Sequence, residues 1–326
     1  MIWGKIILSL ILFTVQLSGK KAKFDVEKEI QISCISSEYA KEFTTFELKY
    51  NPDMATHNYT FDENMILNIE ELVGDREKII FFFLGHEDKL YSLSGKSFLI
   101  AREQMIKNSA CTCTVSYAFL DGSNLVKYWK YFSVLKKRLP KVVNMMTTFI
   151  QNIVDSSDFK INLSSVYLTG FCLGGHIAGH VGYELRKIYN GQMVSAIWAF
   201  DPPKIGFPYP EKEGKPRRVQ KFDAEFVVVF HTSRLGVKKS IADVDIVVNG
   251  GRDQPSCQNE TLKITCNHYA AYLLRELIAV NSKKLEKNEN GSPVAYKVSD
   301  ISEKFAIEIT RPAWDKAGIF GMRVGL

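Results

Sequence analysis

The chain has 326 residues, enough to bury a large core as one α/β domain or two smaller ones. Hydrophobic residues make up 46% and charged residues 24%, an ordinary globular balance that excludes collagen-like and disordered classes. The net charge of +6 is scattered, so no nucleic-acid footprint is expected, only weak attraction to acidic surfaces such as anionic lipid or polysaccharide. The clusters Lys136-Lys137-Arg138 and Lys215-Pro216-Arg217-Arg218 read as solvated faces. No zinc-ligand spacing, Walker loop or dinucleotide fingerprint appears, so neither a metal nor a cofactor is expected.

The first residues read as a secretory signal: Lys5 gives a positive start, Ile6–Val15 a short apolar core, and Ser18 and Gly19 suit cleavage. The expectation is a signal peptide over 1–19 and a secreted, extracellular chain from Lys20. Asn58, Asn162, Asn259 and Asn290 each open an Asn-x-Ser/Thr triplet, the glycosylation acceptor expected of a secreted protein. Secretion also makes the six cysteines disulfide material.

Residues 20–75 are polar and weakly patterned, with a turn at Val73-Gly74-Asp75. Ile79–Leu84 is a continuous apolar run, as in a strand buried on both faces. Cys113–Phe119 reads as a second strand. Val142, Val143, Met146, Phe149, Ile150, Ile153 and Val154 follow helical spacing, with Pro140 tolerated near the helix start. Val166–Thr169 is a strand that turns sharply through Gly170 and Gly174 into a helix stopped by Asn190-Gly191. Gly174, Ala178 and Gly182 recur every four residues and give that helix a smooth face for close packing. Val194–Phe200 is the next strand and ends at Asp201-Pro202-Pro203. Lys204–Lys221 reads as a loop, Glu225–His231 as a strand, Asn249-Gly250-Gly251 as a turn, and Tyr269–Val280 as a helix just after His268. Residues 281–326 show short strand-like pieces and no clear second core.

Alternating strands and helices predict an α/β fold, a mostly parallel central sheet with helices on both faces. In such sheets chemistry gathers at the carboxyl ends of the strands. Cys172 follows one strand, Asp201 the next, and His268 lies in a later loop. Strand, tight turn and helix around Cys172 frame a nucleophile elbow, and the order nucleophile, acid, histidine is that of the α/β-hydrolases.

Four blocks then resemble the pancreatic-type neutral lipase family, whose insect branch includes lipases, venom-type phospholipases and yolk proteins. Gly170-Phe171-Cys172-Leu173-Gly174-Gly175-His176-Ile177-Ala178-Gly179 is similar to its G-H-S-L-G-A-H-x-A-G elbow. Phe200-Asp201-Pro202-Pro203 resembles its acid strand, Asn249–Cys257 its N-G-G-x-x-Q-P-G-C run, and Cys266-Asn267-His268 its histidine block. The likeness covers roughly residues 75–280 and implies a single α/β-hydrolase domain over 20–326, without the lipid-binding β-sandwich that some members append. It implies that Cys172 stands at the nucleophile position, that Asp201 orients His268, and that His268 acts as base and then acid. Oxyanion donors would be the Leu173 N–H and a second N–H at Leu84-Gly85-His86, with His86 at the family's H-G-F position.

The resemblance further implies that Cys257 and Cys266 close a lid of eight residues, as short as in the phospholipases and yolk proteins. Cys34 bridges Cys111 or Cys113, which leaves Cys172 a free thiol. Arg218–Asp223 lacks one carboxylate of a calcium run found in some relatives, so no calcium is expected. The implied ligand is a lipid or acyl ester, with transient contact at lipid surfaces. Thiolate leaves a tetrahedral intermediate more readily than alkoxide, and a longer C–S bond shifts the oxyanion. The expectation is therefore carboxylester hydrolase (lipase or sn-1 phospholipase) architecture with weak or absent activity, the alternative being a non-catalytic lipid-binding or yolk-like storage protein.

Overall fold

The structure is a computed structural model and describes residues 30–47, 69–86, 97–117, 131–238, 241–280, 282–312 and 315–325. The expected signal peptide and Asn58 lie outside the described residues. Eleven strands form one sheet. They are β1 (Gln31–Ile35), β2 (Thr44–Glu47), β3 (Ile79–Phe83), β4 (Cys111–Ser116), β5 (Val166–Phe171) and β6 (Ala196–Phe200), then β7 (Phe226–His231), β8 (Val244–Val248), β9 (Val294–Lys297), β10 (Lys304–Ala306) and β11 (Gly318–Met322). Among the described residues the helices that cover the sheet include α1 (Ser97–Asn108), α2 (Leu139–Asp155), α3 (Leu173–Ile188) and α4 (Lys263–Ala279).

The spatial order is β10-β9-β11-β8-β7-β6-β5-β3-β4-β1-β2. From β11 to β4 every neighbouring pair is parallel, and antiparallel strands finish both edges. Period-two alternation divides the apolar strands between two cores. Phe81, Phe83, Leu168, Ile197 and Val229 face α2 and α3, whereas Ile80, Phe82, Trp198, Val228 and Ile246 face α4. Continuous hydrophobic runs are what strands covered on both faces require.

Four expectations shift. The helix read from Val142 begins at Leu139, with Pro140 in its first turn, and a π-helical turn at Val134–Arg138 precedes it. Helix α1 was invisible to periodicity because its buried face, Ser97, Ile100, Ala101, Gln104 and Met105, includes two polar side chains. His268 does not lie in a loop. Helix α4 starts at Lys263, five residues earlier, because His268, Ala271, Tyr272, Arg275 and Ile278 form its buried face. Residues 281–326 carry β9–β11 and extend the same sheet, with β11 parallel to β8.

Cys34 pairs with Cys113, not Cys111, and Cys257 pairs with Cys266. Antiparallel pairing of β1 and β4 sets Cys34 directly opposite Cys113. Cys111 lies two residues away on the same face, a free buried thiol whose pKa burial pushes up to about 12. Its sulfur is 4.0 Å from that of Cys113.

Candidate active site

The site is built where β5 turns into α3. Cys172 caps α3 with φ 55° and ψ −127°, a backbone region that side chains rarely occupy and that costs on the order of 1–3 kcal/mol. Its N–H donates to the Phe200 carbonyl at 3.0 Å, and its carbonyl accepts from Gly175 N–H at 3.0 Å. The turn closes only without neighbouring side chains. A Cβ on Gly170 would lie 2.2 Å from the Gly174 carbonyl oxygen, and one on Gly174 would lie 2.2 Å from that of Phe83. On the same helix Gly182 gives room to the backbone of Asp223. The result is a partly exposed free thiol at the carboxyl edge of the sheet.

Asp201 sits at the end of the adjacent strand β6, also with positive φ (47°), and is fully buried. Its carboxylate is saturated with donors. Oδ1 accepts from the N–H groups of Thr232 (3.0 Å) and Ser233 (3.2 Å), and Oδ2 from Ser233 Oγ (2.5 Å). His268 completes the set, with Nδ1 donating to Oδ2 at 2.6 Å. Such a fixed acceptor sets the tautomer and the ring plane. Phe171 lies against the imidazole with ring centroids 4.9 Å apart, which keeps that face dry. Burial by itself would lower the His268 pKa. The Cys172 sulfur, which the ring also hydrogen-bonds, and the Asp201 carboxylate outweigh it and push the value up to about 10. Cys172, His268 and Asp201 thus form one hydrogen-bonded line, with the ring between sulfur and carboxylate.

Sequence reading passed over the residues that hold this line in place. Thr232 and Ser233, just past β7, grip Asp201. Gln254 Nε2 donates to the carbonyls of Thr232 (2.8 Å) and Val248 (3.0 Å), and its N–H donates to Asn267 Oδ1 (2.8 Å), next to His268. Asn249, at φ 48°, donates to Gln254 Oε1 (2.9 Å) and pairs with the backbone of Val324. The Asn-Gly-Gly-x-x-Gln-Pro run is therefore a brace between the acid's cradle and the histidine's helix. Its signal lay in the block itself, where an amide follows a left-handed turn.

The first turn of α3 offers the Leu173 N–H, unsatisfied within a helix by construction. Leu84–His86 leaves β3 against that turn, with the Leu84 N–H spent on the Val115 carbonyl (3.1 Å) and the His86 ring edge-on to Tyr131 at 5.3 Å. Tyr131 stands over the site. Its hydroxyl donates to the Ile205 carbonyl at 2.9 Å, and burial together with the Cys172 charge raises its pKa. The segment between Cys257 and Cys266 is exposed, Leu262 and Ile264 included.

His176 and His180 serve packing. His176 is buried with both nitrogens engaged: Nδ1 accepts from Val219 N–H (3.1 Å), so Nε2 donates to the Pro203 carbonyl (2.7 Å). Burial drives its pKa down to about 3 and that of His180 down to about 4. Asp223 accepts from Arg217 (2.7 Å) and Gln220 N–H (2.8 Å), and burial raises its pKa to about 7. Asn162, Asn259 and Asn290 are all exposed.

The chain is similar to known lipases and phospholipases. A phospholipase A1 of Vespula squamosa is 29% identical over 181 residues, 55% of this chain and 59% of that one. Lipase member H of Danio rerio is 33% identical over 161 residues, 47% of this chain and 32% of that one. The chain thus spans less than two thirds of the length of either relative. Among solved structures, a lipase/esterase from Lactobacillus plantarum aligns over 76% of this chain and 86% of its own at 13% identity, with a TM-score of 0.34. The Lipase family profile matches residues 103–284, more than half of the chain and all three members of the line at Cys172. The chain has the α/β-hydrolase fold and belongs to the Lipase family.

Proposed function

We propose that this protein is a secreted carboxylester hydrolase of lipid acyl esters in which Cys172 stands in the serine nucleophile's place, with slow turnover as the consequence. The observation that carries the reading is the hydrogen-bonded line Cys172–His268–Asp201 at the carboxyl edge of adjacent strands. The names borne by the relatives, phospholipase A1 and lipase, supply the substrate class. Two disulfides and the apolar N-terminal run support an extracellular destination.

In the reaction the Cys172 sulfur adds to the ester carbonyl, and the oxyanion meets the Leu173 N–H at the helix start. His268 gives its proton to the departing alkoxide, which leaves a thioester on Cys172. Water, deprotonated by His268, then releases the carboxylic acid and expels Cys172 as the thiolate, which restores the starting pair with the protonated ring. The weak step is the first collapse. The intermediate returns to substrate by expelling sulfur unless His268 protonates the alkoxide first. That partition, with an oxyanion displaced by the longer C–S bond, makes the enzyme slow; one misplaced oxyanion donor costs roughly 10²–10³ in rate.

A second reading, a lipid-binding protein without turnover, draws support from Tyr131, which packs beside Cys172 over the same apolar core. A fluorogenic acyl-ester assay on the wild type, Cys172→Ser and Cys172→Ala separates the two. Slow hydrolysis in the wild type, faster in Cys172→Ser and absent in Cys172→Ala, is the expected result. Wild type equal to Cys172→Ala, with Cys172→Ser active, would transfer the protein to the second reading. N-terminal sequencing of protein recovered from culture medium tests the cleavage after Gly19.

A further inference from the structure

A cavity of about 1210 Å³ lies between α2, the outer face of α3 and the 204–216 loop. None of Cys172, Asp201 and His268 lines it. Its floor is apolar: Leu135, Leu139, Val143 and Phe207, each at most 5% exposed. Phe207 is held rigid by stacking on His176 at 3.7 Å. Gly206 packs its Cα against Leu135, where a Cβ would lie 2.2 Å from Cδ1, and so closes one end.

The rim is basic. Lys136, Lys204, Lys212 and Lys215 surround the opening, and the one acidic lining residue, Glu184, is paired with Lys187 at 2.8 Å. Lys204 donates to the Arg234 carbonyl at 2.6 Å, which leaves Lys136, on the turn before α2, and Lys212 and Lys215, in one turn of the 204–216 loop, as exposed ammonium groups on the lining. Thr147 also lines the cleft, 95% buried, with an Oγ1 that has no partner within the described protein. Unpaired like charges around an apolar hollow call for an anion attached to a hydrocarbon.

We propose that this cleft binds the anion of a single long-chain fatty acid, its tail on the Leu135–Phe207 floor and its carboxylate among Lys136, Lys212 and Lys215. A bilayer surface fits less well, because the floor residues Leu135, Leu139, Val143 and Phe207 are recessed, and of the large apolar lining residues Phe132 and Ile188 are the exposed ones, at 39% and 43%. The volume is ample for a single long acyl chain, since small-molecule sites commonly measure roughly 300–1,000 Å³. The choice of a carboxylate rests on the ester-hydrolase reading, since that reaction releases one, but binding itself needs no turnover.

The test uses the full chain carrying Cys172→Ala and follows displacement of fluorescent cis-parinarate by oleate. Expected is saturable one-to-one displacement. The exposed triple variant Lys136→Glu/Lys212→Glu/Lys215→Glu should bind oleate at least tenfold more weakly while its thermal unfolding is unchanged. Thr147→Val should weaken oleate a few-fold. Wild type blocked at Cys172 with a bulky maleimide should bind as before. Oleate binding that is absent, indifferent to the lysine triple, matched by methyl oleate, or lost on blocking Cys172 would overturn the assignment. Displacement by lysophosphatidate tenfold better than by oleate would overturn the carboxylate head group. Because Cys172→Ala cannot turn over ester, failure here leaves the hydrolase reading untouched, and failure of the ester assay removes the reason for choosing a carboxylate while leaving the binding measured here as its own test.

Discussion

His268 and His231 each hand a ring nitrogen to a buried aspartate at nearly the same distance, 2.6 Å to Asp201 and 2.7 Å to Asp245. Judged by that contact they are twins. They differ at the other nitrogen. His231 Nδ1 donates to the Val237 carbonyl at 3.1 Å, so the ring is tied on both sides and clips the end of β7 to the loop before β8. The second nitrogen of His268 meets the Cys172 sulfur. The aspartates differ as well. Asp245 accepts weakly from Ile241 and Ala242 N–H (3.4 and 3.3 Å), whereas Asp201 stands at a positive φ inside a ring of shorter donors. A histidine–carboxylate pair becomes chemical machinery only where its far side faces a group that can react.

Matched substitutions test that distinction most strongly. In the Cys172→Ser background, where the ester signal is larger, Asp201→Asn is expected to lower kcat by about 10⁴, because the ring loses the acceptor that fixes its tautomer. Asp245→Asn should leave kcat within about twofold and instead cost about 1–3 kcal/mol in urea unfolding, the usual penalty for disturbing a buried hydrogen bond. If both variants lose activity equally, the two pairs are not distinct in role. Next in size is Gln254→Met. It leaves the buried carbonyls of Thr232 and Val248 without their donor and frees the cradle of Asp201 from the helix of His268. A stability loss of about 1–3 kcal/mol is expected, with kcat falling roughly tenfold as the pair loses its alignment.

The contrast also shows what a sequence exposes. Cys172 and Asp201 were singled out because each ends a strong apolar run at the edge a parallel sheet reserves for chemistry, whereas His268, inside α4, was singled out only by the Cys266-Asn267-His268 block. The central strands were legible because both of their faces are buried, as in Ile79–Phe83. The edge strands were not. In β10, only Phe305 of Lys304-Phe305-Ala306 is deeply buried, and a three-residue pattern cannot be told from a loop. Helix α1 hid behind Ser97 and Gln104, polar residues buried because they bond Tyr272 and Arg275. The choice of Cys113 over Cys111 depended on the β1–β4 register, which no local pattern states. Ser233 was silent for the same reason, since its partner Asp201 is 32 residues away in sequence.

A subtler probe is pH. The His268 pKa is raised to about 10 from an ordinary value near 6.5. A group raised on folding contributes stability that is complete below its unfolded value and disappears as pH climbs through the folded one. Stability should therefore fall between about pH 6.5 and 10, and His268→Gln should flatten that slope. Ring ¹⁵N shifts should show His268 protonated at neutral pH in the wild type. In Cys172→Ala, which lacks the strongest influence raising the value, the transition should move to lower pH. An unchanged transition in that variant would mean that the sulfur does not hold the proton, and the line at Cys172 would reduce to a second His231-type clip.

The smallest expected effect belongs to Ser233→Ala. Ser233 Oγ donates to Asp201 Oδ2 (2.5 Å) and accepts the Leu235 N–H (3.1 Å), so it ties the acid to the loop that carries its other donors. Removing it leaves the N–H groups of Thr232 and Ser233 and the His268 ring on the carboxylate. Three donors still hold Asp201, so stability should fall by less than about 1.5 kcal/mol. The carboxylate, less shared, becomes a stronger acceptor for His268 Nδ1. A positioning role predicts that the ring's proton is then held slightly more tightly, so the ¹⁵N transition of His268 should move to higher pH while kcat falls only a few-fold. A purely structural serine would shift the unfolding curve and leave the transition where it was.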